Sequence, residues 1–362
     1  MPTLKPIAFL FPQFHRVKEN DAWWGEGFTE WNNVRSGTPQ FPGHAQPLEP
    51  LWGYYDYDQS PRFLEQQCAV ASEFGLYGFC LYHYWFSGRR LLTKQLELYR
   101  ENSSIRFPFC VCWANDPWVR SWVGKPNEIL IEQRYPPEDP ARFIRDLLEV
   151  FRDERYIEVH GKKLLLIYRT DVIPDIRTTT EIWRRTAKEG GVELYLVCGE
   201  TYARRDPREL GFDATYEFPP LDFGVTDAAA TPRASAGFQG NIYSYGAGTR
   251  RLMAKDYDYS VFRGIMPSWD NTARMGRRAT IFHGSSPELY QRWLRHVCDW
   301  TMRRKPEGER IFFINAWNEW GEGCCLEPDS RHGYAYLKAT REILRAPASP
   351  APRTQTLSGG AR

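Results

Sequence analysis

The sequence predicts an α/β fold, a closed (β/α)8 barrel of the TIM type with long loops after its strands. Eight short apolar runs, each rich in β-branched or aromatic residues, read as parallel strands covered on both faces. Helical patterns lie between most of them, and such alternation builds a parallel sheet wrapped in helices. The turn after the first run reads Phe11-Pro12-Gln13-Phe14-His15. It lacks the glycine fingerprint of a dinucleotide-binding open sheet, which favours closure.

The first run is Ile7–Phe14. Arg16 to Asp58 follows, dense in Trp, Gly, Pro and Asn, and a loop of that length usually walls or covers a site. Ser60-Pro61 opens a helix with a capping serine; Phe63, Val70 and Phe74 mark its inner face and Gly75 stops it. The second and third runs are Leu76–Trp85 and Phe107–Trp113. A helix after Pro140 carries Phe143, Leu147, Leu148 and Phe151 inward and leads to the fourth run, Leu164–Tyr168. The next helix, Thr180 to Lys188, ends at Gly190-Gly191 before the fifth and sixth runs, Glu193–Cys198 and Ala214–Phe218. Only a weak helix near Arg250–Lys255 precedes the seventh run, Gly264–Trp269. Ser286-Pro287 opens the longest helix, with Leu289, Trp293, Leu294, Val297 and Trp300 inward. The eighth run, Ile311–Trp317, and a helix over Tyr334–Leu344 complete the set. Residues 1–345 thus read as one catalytic domain. Residues 346–362, rich in Ala, Pro, Ser, Gly and Thr, read as a disordered tail.

Composition narrows the function. Lys+Arg 47 against Asp+Glu 45 leaves a net charge of +2, too little to hold a polyanion, so nucleic acid is not expected as a partner. No window of roughly 18 apolar residues is present, so no transmembrane segment is expected. Met1 to Pro6 carries no secretory pattern, and most of the eight cysteines sit in apolar runs as small hydrophobes, which points to a reducing, cytoplasmic setting. The seven histidines form no ligand-like cluster, and neither a metal nor another cofactor is expected. Aromatics make up 15% of the chain, with 14 Trp and 20 Tyr, more than a core needs. Flat side chains stack on the C–H faces of sugar rings, so an oligosaccharide or polysaccharide substrate is expected.

Barrel sites lie at the C-terminal ends of the strands. The residues there are Gln13 and His15, His83 and Tyr84, Trp113, Asn115 and Asp116, Trp269, Asp270 and Asn271, and Asn318 and Trp320; Trp31 in the first loop joins them as a candidate substrate contact. His15 and His83 read equally as hydroxyl binders or as satisfied core histidines, and Asp116 as a hydroxyl binder or a turn cap. Glu319 and Glu322 form the sharpest constellation. Glycosidic cleavage needs an acid for the leaving oxygen and a second carboxylate as base or nucleophile. Three residues apart at a strand end, both can face one pocket, and their repulsion raises one pKa so that acid and base arise from one residue type. Trp317 and Trp320 are expected to wall the pair.

Several motifs carry a resemblance. Phe11-Pro12-Gln13-Phe14-His15, Trp23-Trp24-Gly25-x-Gly27-Phe28-Thr29-Glu30-Trp31, Gly78-Phe79-Cys80-x-Tyr82-His83-Tyr84-Trp85-Phe86, Cys112-Trp113-Ala114-Asn115, Pro267-x-Trp269-Asp270-Asn271-Thr272-Ala273-Arg274 and Asn315-Ala316-Trp317-Asn318-Glu319-Trp320 resemble the WbsX-like proteins over residues 5–345. These are often labelled glycosyltransferases of surface-polysaccharide (O-antigen, lipopolysaccharide) clusters. They are similar in turn to glycoside hydrolase family 99, the endo-α-mannosidase family, a (β/α)8 fold. Asn318 to Gly323 matches that family's Asn-Glu-Trp-x-Glu-Gly. The resemblance implies that Glu319 assists the sugar 2-hydroxyl as an internal nucleophile and that Glu322 is the general acid/base. It implies a retaining glycosidase or transglycosylase; a glycosyltransferase and a non-catalytic glycan-binding barrel are the alternatives. Family 99 commonly has histidine where this chain has Gly321.

Overall fold

The computed structural model describes residues 4–119, 128–202 and 206–346. The expected tail beyond Ala346 lies outside them.

Nine parallel segments run in the order of the chain: β1 (Lys5–Leu10), β2 (Gly78–Phe86), β3 (Phe109–Trp113), β4 (Lys162–Ile167), β5 (Leu194–Gly199), β6 (Ala214–Tyr216), β7 (Val261–Phe262), β8 (Gly264–Ile265) and β9 (Ile311–Ile314). Their hydrogen-bonded order is β7-β6-β5-β4-β3-β2-β1-β9-β8. The first strand therefore pairs with the last, Ala8 opposite Ile314. The two ends of the path, β7 and β8, are separated by Arg263 alone. They are two halves of one strand that changes partner, so the path closes and eight strand positions remain. A helix follows each position, from Phe63–Glu73 after β1 to Ala335–Arg345 after β9.

Arg263 is fully buried at this junction. Its Nε donates to Glu217 Oε2 at 2.8 Å, and the Gly264 amide donates to the same oxygen at 3.0 Å. Burying a charge is tolerated because its partner is buried with it. The barrel interior is packed with aromatics: the Phe9 ring lies 5.7 Å from Phe313 and 5.0 Å from Phe218. That filling closes the barrel beneath the rim, so a ligand is received at the top.

The eight predicted runs all hold strands, but several strands are shorter than the runs. β1 ends at Leu10 and β9 at Ile314, and the apolar residues just beyond them are still buried. The first helix starts at Phe63, with Arg62 at its N-cap; Ser60 contributes its carbonyl to Phe63 N and not a side-chain cap. The weak helix is Tyr245–Met253, capped by the Ser244 side chain, earlier than expected. In the longest helix, Pro287–Arg304, Tyr290 and Cys298 are buried while Leu289 and Trp300 are only half-buried. Helices Lys18–Trp24, Glu30–Ser36 and Lys94–Glu101 were not expected. Lys94–Glu101 buries Gln95 along with Leu96, Leu98 and Tyr99, which blurs its apolar period. No helix among the described residues is long and apolar enough to cross a membrane. All eight cysteines are buried free thiols.

Candidate active site

After β9 the chain makes a tight reversal. Asn318–Glu319 pairs antiparallel with Cys324–Cys325, and a single 3-10 turn, Trp320–Glu322, joins the two, ending on Gly323 in the left-handed region (φ 58°). Positions three apart nearly eclipse in a 3-10 turn. Glu319 caps that turn, so its side chain and that of Glu322 leave on one side.

Both carboxylates meet one guanidinium. Arg274 Nη1 donates to Glu322 Oε1 at 2.8 Å and Nη2 to Glu319 Oε2 at 3.2 Å. Its Nε donates to a third carboxylate, Glu30 Oε1, at 2.7 Å. Side-chain exposure is 7% for Arg274, 6% for Glu319 and 2% for Glu30, against 24% for Glu322. One cation thus faces three acids in a nearly dry place. Burial, then the Glu322 charge, pushes the Glu319 carboxyl well above the usual carboxylate range, against the pull of Arg274. Burial also raises Glu322, again opposed by Arg274. The deeper Glu319, on the longer bond, is raised the more strongly of the two and takes the proton more readily than the more exposed Glu322.

The pair opens into a cavity of about 310 Å3 at the C-terminal rim. Every strand position supplies wall. Phe11 follows β1, Tyr82 and Tyr84 end β2, and Asp116 and Trp118 follow β3. Tyr168, Tyr202 and Phe218 follow β4, β5 and β6, and Trp269 follows β8. The walls are aromatic and the floor is acidic. Asp116 is held by Arg169 Nη1 at 3.0 Å, with burial raising its carboxyl.

A fourth buried carboxylate supports the segment from behind. Glu327 Oε1 accepts from Gln67 Nε2 (2.7 Å) and Trp317 Nε1 (3.2 Å). Its Oε2 accepts from Tyr55 Oη (3.0 Å) and Trp320 Nε1 (2.7 Å). Burial pushes this carboxyl up to about 7. Yet the Tyr55 hydroxyl itself accepts from Gln67 and Asn318, so its proton must point at Glu327. Four donors converging on two oxygens hold the carboxylate form. Trp317 and Trp320, expected as walls of the pair, are instead fastened below it and do not line the cavity.

Of the residues singled out from sequence, Glu319, Glu322, Tyr84, Asp116 and Trp269 meet at this cavity, and Gln13 lines a recess beside it. The others face elsewhere. Asn318 clamps β1, accepting from Phe11 N at 2.7 Å. Trp31 Nε1 donates to Tyr55 O, Trp113 Nε1 to Trp85 O, and Asn115 Oδ1 accepts from Arg169 N. His15 Nδ1 bonds Pro12 O and is buried. His83 is buried near Asp146, and burial and Arg90 lower it to about 3, a neutral core histidine. Asn271 Oδ1 accepts from Thr280 N. Asp270 bonds both His44 and Gln46 through Oδ2 and accepts from Thr272 N through Oδ1, lining a separate pocket. Sequence reasoning passed over Arg274 and Glu30. Each ends or nearly ends a motif that was noticed, and a charged residue so placed among aromatics was the available signal.

A family model described as Glycosyltransferase WbsX matches residues 6–340. The chain belongs to the WbsX family. The uncharacterized protein WxcX of Xanthomonas campestris pv. campestris (strain B100) is 40% identical over 351 residues, 94% of this chain and 50% of that protein. The chain therefore spans about half the length of the curated relative it matches. Among solved structures, the GH99 endo-alpha-mannosidase from Bacteroides thetaiotaomicron superposes with a TM-score of 0.58 at 13% identity, covering 94% of this chain and 96% of that one. A glycoside hydrolase-like protein gives 0.57 at 13% identity, covering 95% of each. These likenesses show a shared barrel fold.

Within this WbsX-family chain, the glycine at position 321 has a local cause. A Cβ on Gly321 would lie 1.8 Å from Glu30 Oε1 and 2.7 Å from Arg274 Nε. The Glu30–Arg274 pair occupies the space that a side chain there would need.

Proposed function

We propose that this protein is a retaining, family-99-like glycosidase or transglycosylase acting on a bacterial oligosaccharide or polysaccharide, with Glu319 and Glu322 as its catalytic pair. The observation that carries the reading is one guanidinium shared by a buried carboxylate, Glu319, and a part-exposed one, Glu322, at the floor of an aromatic cavity. A sugar ring stacks between the aromatic walls and turns its 2-hydroxyl to Glu319. That hydroxyl hydrogen-bonds the carboxylate form and favours it, which moves the shared proton to Glu322. Glu319 then takes the 2-OH proton as O2 bonds to C1, while Glu322 protonates the departing glycosidic oxygen. In the second half, Glu322 deprotonates the incoming water or sugar hydroxyl that attacks C1, the C1–O2 bond breaks, and Glu319 returns its proton to O2. No net charge is created in the apolar cavity.

The family description favours a second reading, a glycosyltransferase of surface-polysaccharide assembly. A nucleoside diphosphate leaving group would meet three carboxylates and a guanidinium already engaged by them. That electrostatic cost supports transfer between glycans over transfer from an anionic donor. The deciding experiment incubates the protein with α-mannoside- and rhamnose-containing polysaccharides, with and without nucleotide sugars. Donor-independent release of sugar, abolished by Glu322→Gln while binding persists, is the expected result. Product formed only with a nucleotide donor would overturn it, as would glycan binding without any turnover.

A further inference from the structure

Beside the main cavity, behind Arg274 and Trp118 which both line it, lies a recess of about 40 Å3. Its polar lining includes Asn20, Gln13, Glu30 and Asn33, and its apolar side includes Trp24 and Phe28. Asn20 is fully buried in helix Lys18–Trp24. Neither its Oδ1 nor its Nδ2 has a hydrogen-bond partner among the described residues, and the same holds for the buried Trp118 Nε1. Buried polar groups are nearly always paired, so an unpaired carboxamide at a recess marks a place for a ligand group.

We propose that this recess receives the acylamino substituent of a sugar whose ring sits in the main cavity; the inference rests on the glycan reading of that cavity. Size comes first. One water needs roughly 10–15 Å3 of such space, so the recess takes about three or four heavy atoms, which is an acylamino group and not a ring. Hydrogen bonding comes second. Asn20 Oδ1 is an unmet acceptor and Trp118 Nε1 an unmet donor, and a trans secondary amide, whose N–H and C=O point opposite ways, meets one with each end. Charge is the third constraint. The Glu30 carboxylate lines the recess and Arg274 is already engaged by three carboxylates, so a carboxylate, phosphate or sulfate substituent is repelled. The apolar side then takes the acyl methyl. Because the 2-hydroxyl is reserved for Glu319, the substituent sits at another ring position or on an adjoining ring.

The test measures affinity by ligand-observed NMR for methyl glucosides and mannosides and their 3-, 4- and 6-acetamido analogues, on the wild-type chain and on Asn20→Ala. At least one acetamido analogue should bind about ten-fold tighter than its parent, and Asn20→Ala should shrink that advantage to about two-fold or less with parent affinity unchanged. Should Asn20→Ala not fold, the half-buried Gln13→Ala is expected to cut the same advantage by about three-fold. Parent glycosides that bind with no acetamido preference, or a preference that survives in both variants, would overturn this inference and leave the glycan reading standing. Failure of every glycoside to bind the wild-type chain would overturn both.

Discussion

Gly321 and Glu30 touch so closely that a single added carbon would collide: the Cβ of an alanine would lie 1.8 Å from Glu30 Oε1. Glu30 cannot swing away cheaply, since it is 2% exposed and bound to Arg274. Gly321→Ala is therefore expected to push Glu30 and Arg274 out of place and to loosen both Glu319 and Glu322. Activity on a released glycan should fall by about 100-fold, the scale of a lost preorganised contact, with a melting temperature within a few degrees of wild type. Wild-type turnover in Gly321→Ala would refute the role given to this contact.

Arg274 reaches three acids because a guanidinium is a planar fork, and a lysine ammonium cannot reproduce that. Arg274→Lys should lower kcat/KM by about 100-fold. Arg274 also pulls both Glu319 and Glu322 downward. Weakening that pull raises the pair further, so the acid limb of the pH–rate profile should move to higher pH. A pH–rate profile of unchanged shape would contradict the shared-guanidinium account.

Glu322→Gln should abolish turnover and yet stabilise the fold at neutral pH. The folded carboxyl is raised above its unfolded value of about 4.3. The stability this group contributes is therefore present below that pH and lost as pH rises through the folded value. Glutamine does not titrate, so the melting temperature of the variant should match wild type near pH 4 and exceed it by about 2 °C at pH 7. A gap that narrows as pH rises would refute the raised pKa.

How far the sequence could be read follows from what each residue does. Eight strands were legible because the runs around Phe9, Val111 and Ile314 are buried on both faces and carry no polar alternation. Glu319 and Glu322 were legible because polar pairs straight after such a run have few structural reasons to exist. Asn318, Asp270 and Asn115 looked like ligands by type, but their hydrogen bonds run to Phe11, Gln46 and Arg169, partners far away in the chain, and Trp320 is held by Glu327 just beyond its own turn. Glu30 and Arg274 are 244 positions apart, and no local pattern pairs them.

Glu327 is expected to act as a positioning residue for the Trp317–Trp320 segment. Glu327→Gln puts an amide NH2 where two donors already converge, so the usual conservative change is not conservative here. The variant should lose about 2–3 kcal/mol of stability. Its kcat should drop about ten-fold with KM little changed, because the walls of the cavity stay in place while the carboxylate pair loses its backing. Denaturant unfolding and initial-rate kinetics on the same preparation check both parts, and wild-type stability would refute the four-donor arrangement.

The barrel's closure offers the last test. Between β7 and β8 the strand changes partner, from β6 to β9, and Arg263 sits at the change with its carbonyl accepting from Phe313 N. Its side chain, fully buried, binds Glu217 Oε2 at 2.8 Å and Leu252 O at 2.7 Å. Arg263→Met strands the Glu217 charge in the interior and should cost about 3–5 kcal/mol, whereas Arg263→Met with Glu217→Gln removes both charges and should recover part of that loss. Glutamine keeps an acceptor for the Gly264 amide, so the β8 pairing survives in the double variant. A double-mutant cycle by chemical denaturation reads the coupling, and strictly additive losses would mean that the pair is not what holds this seam closed.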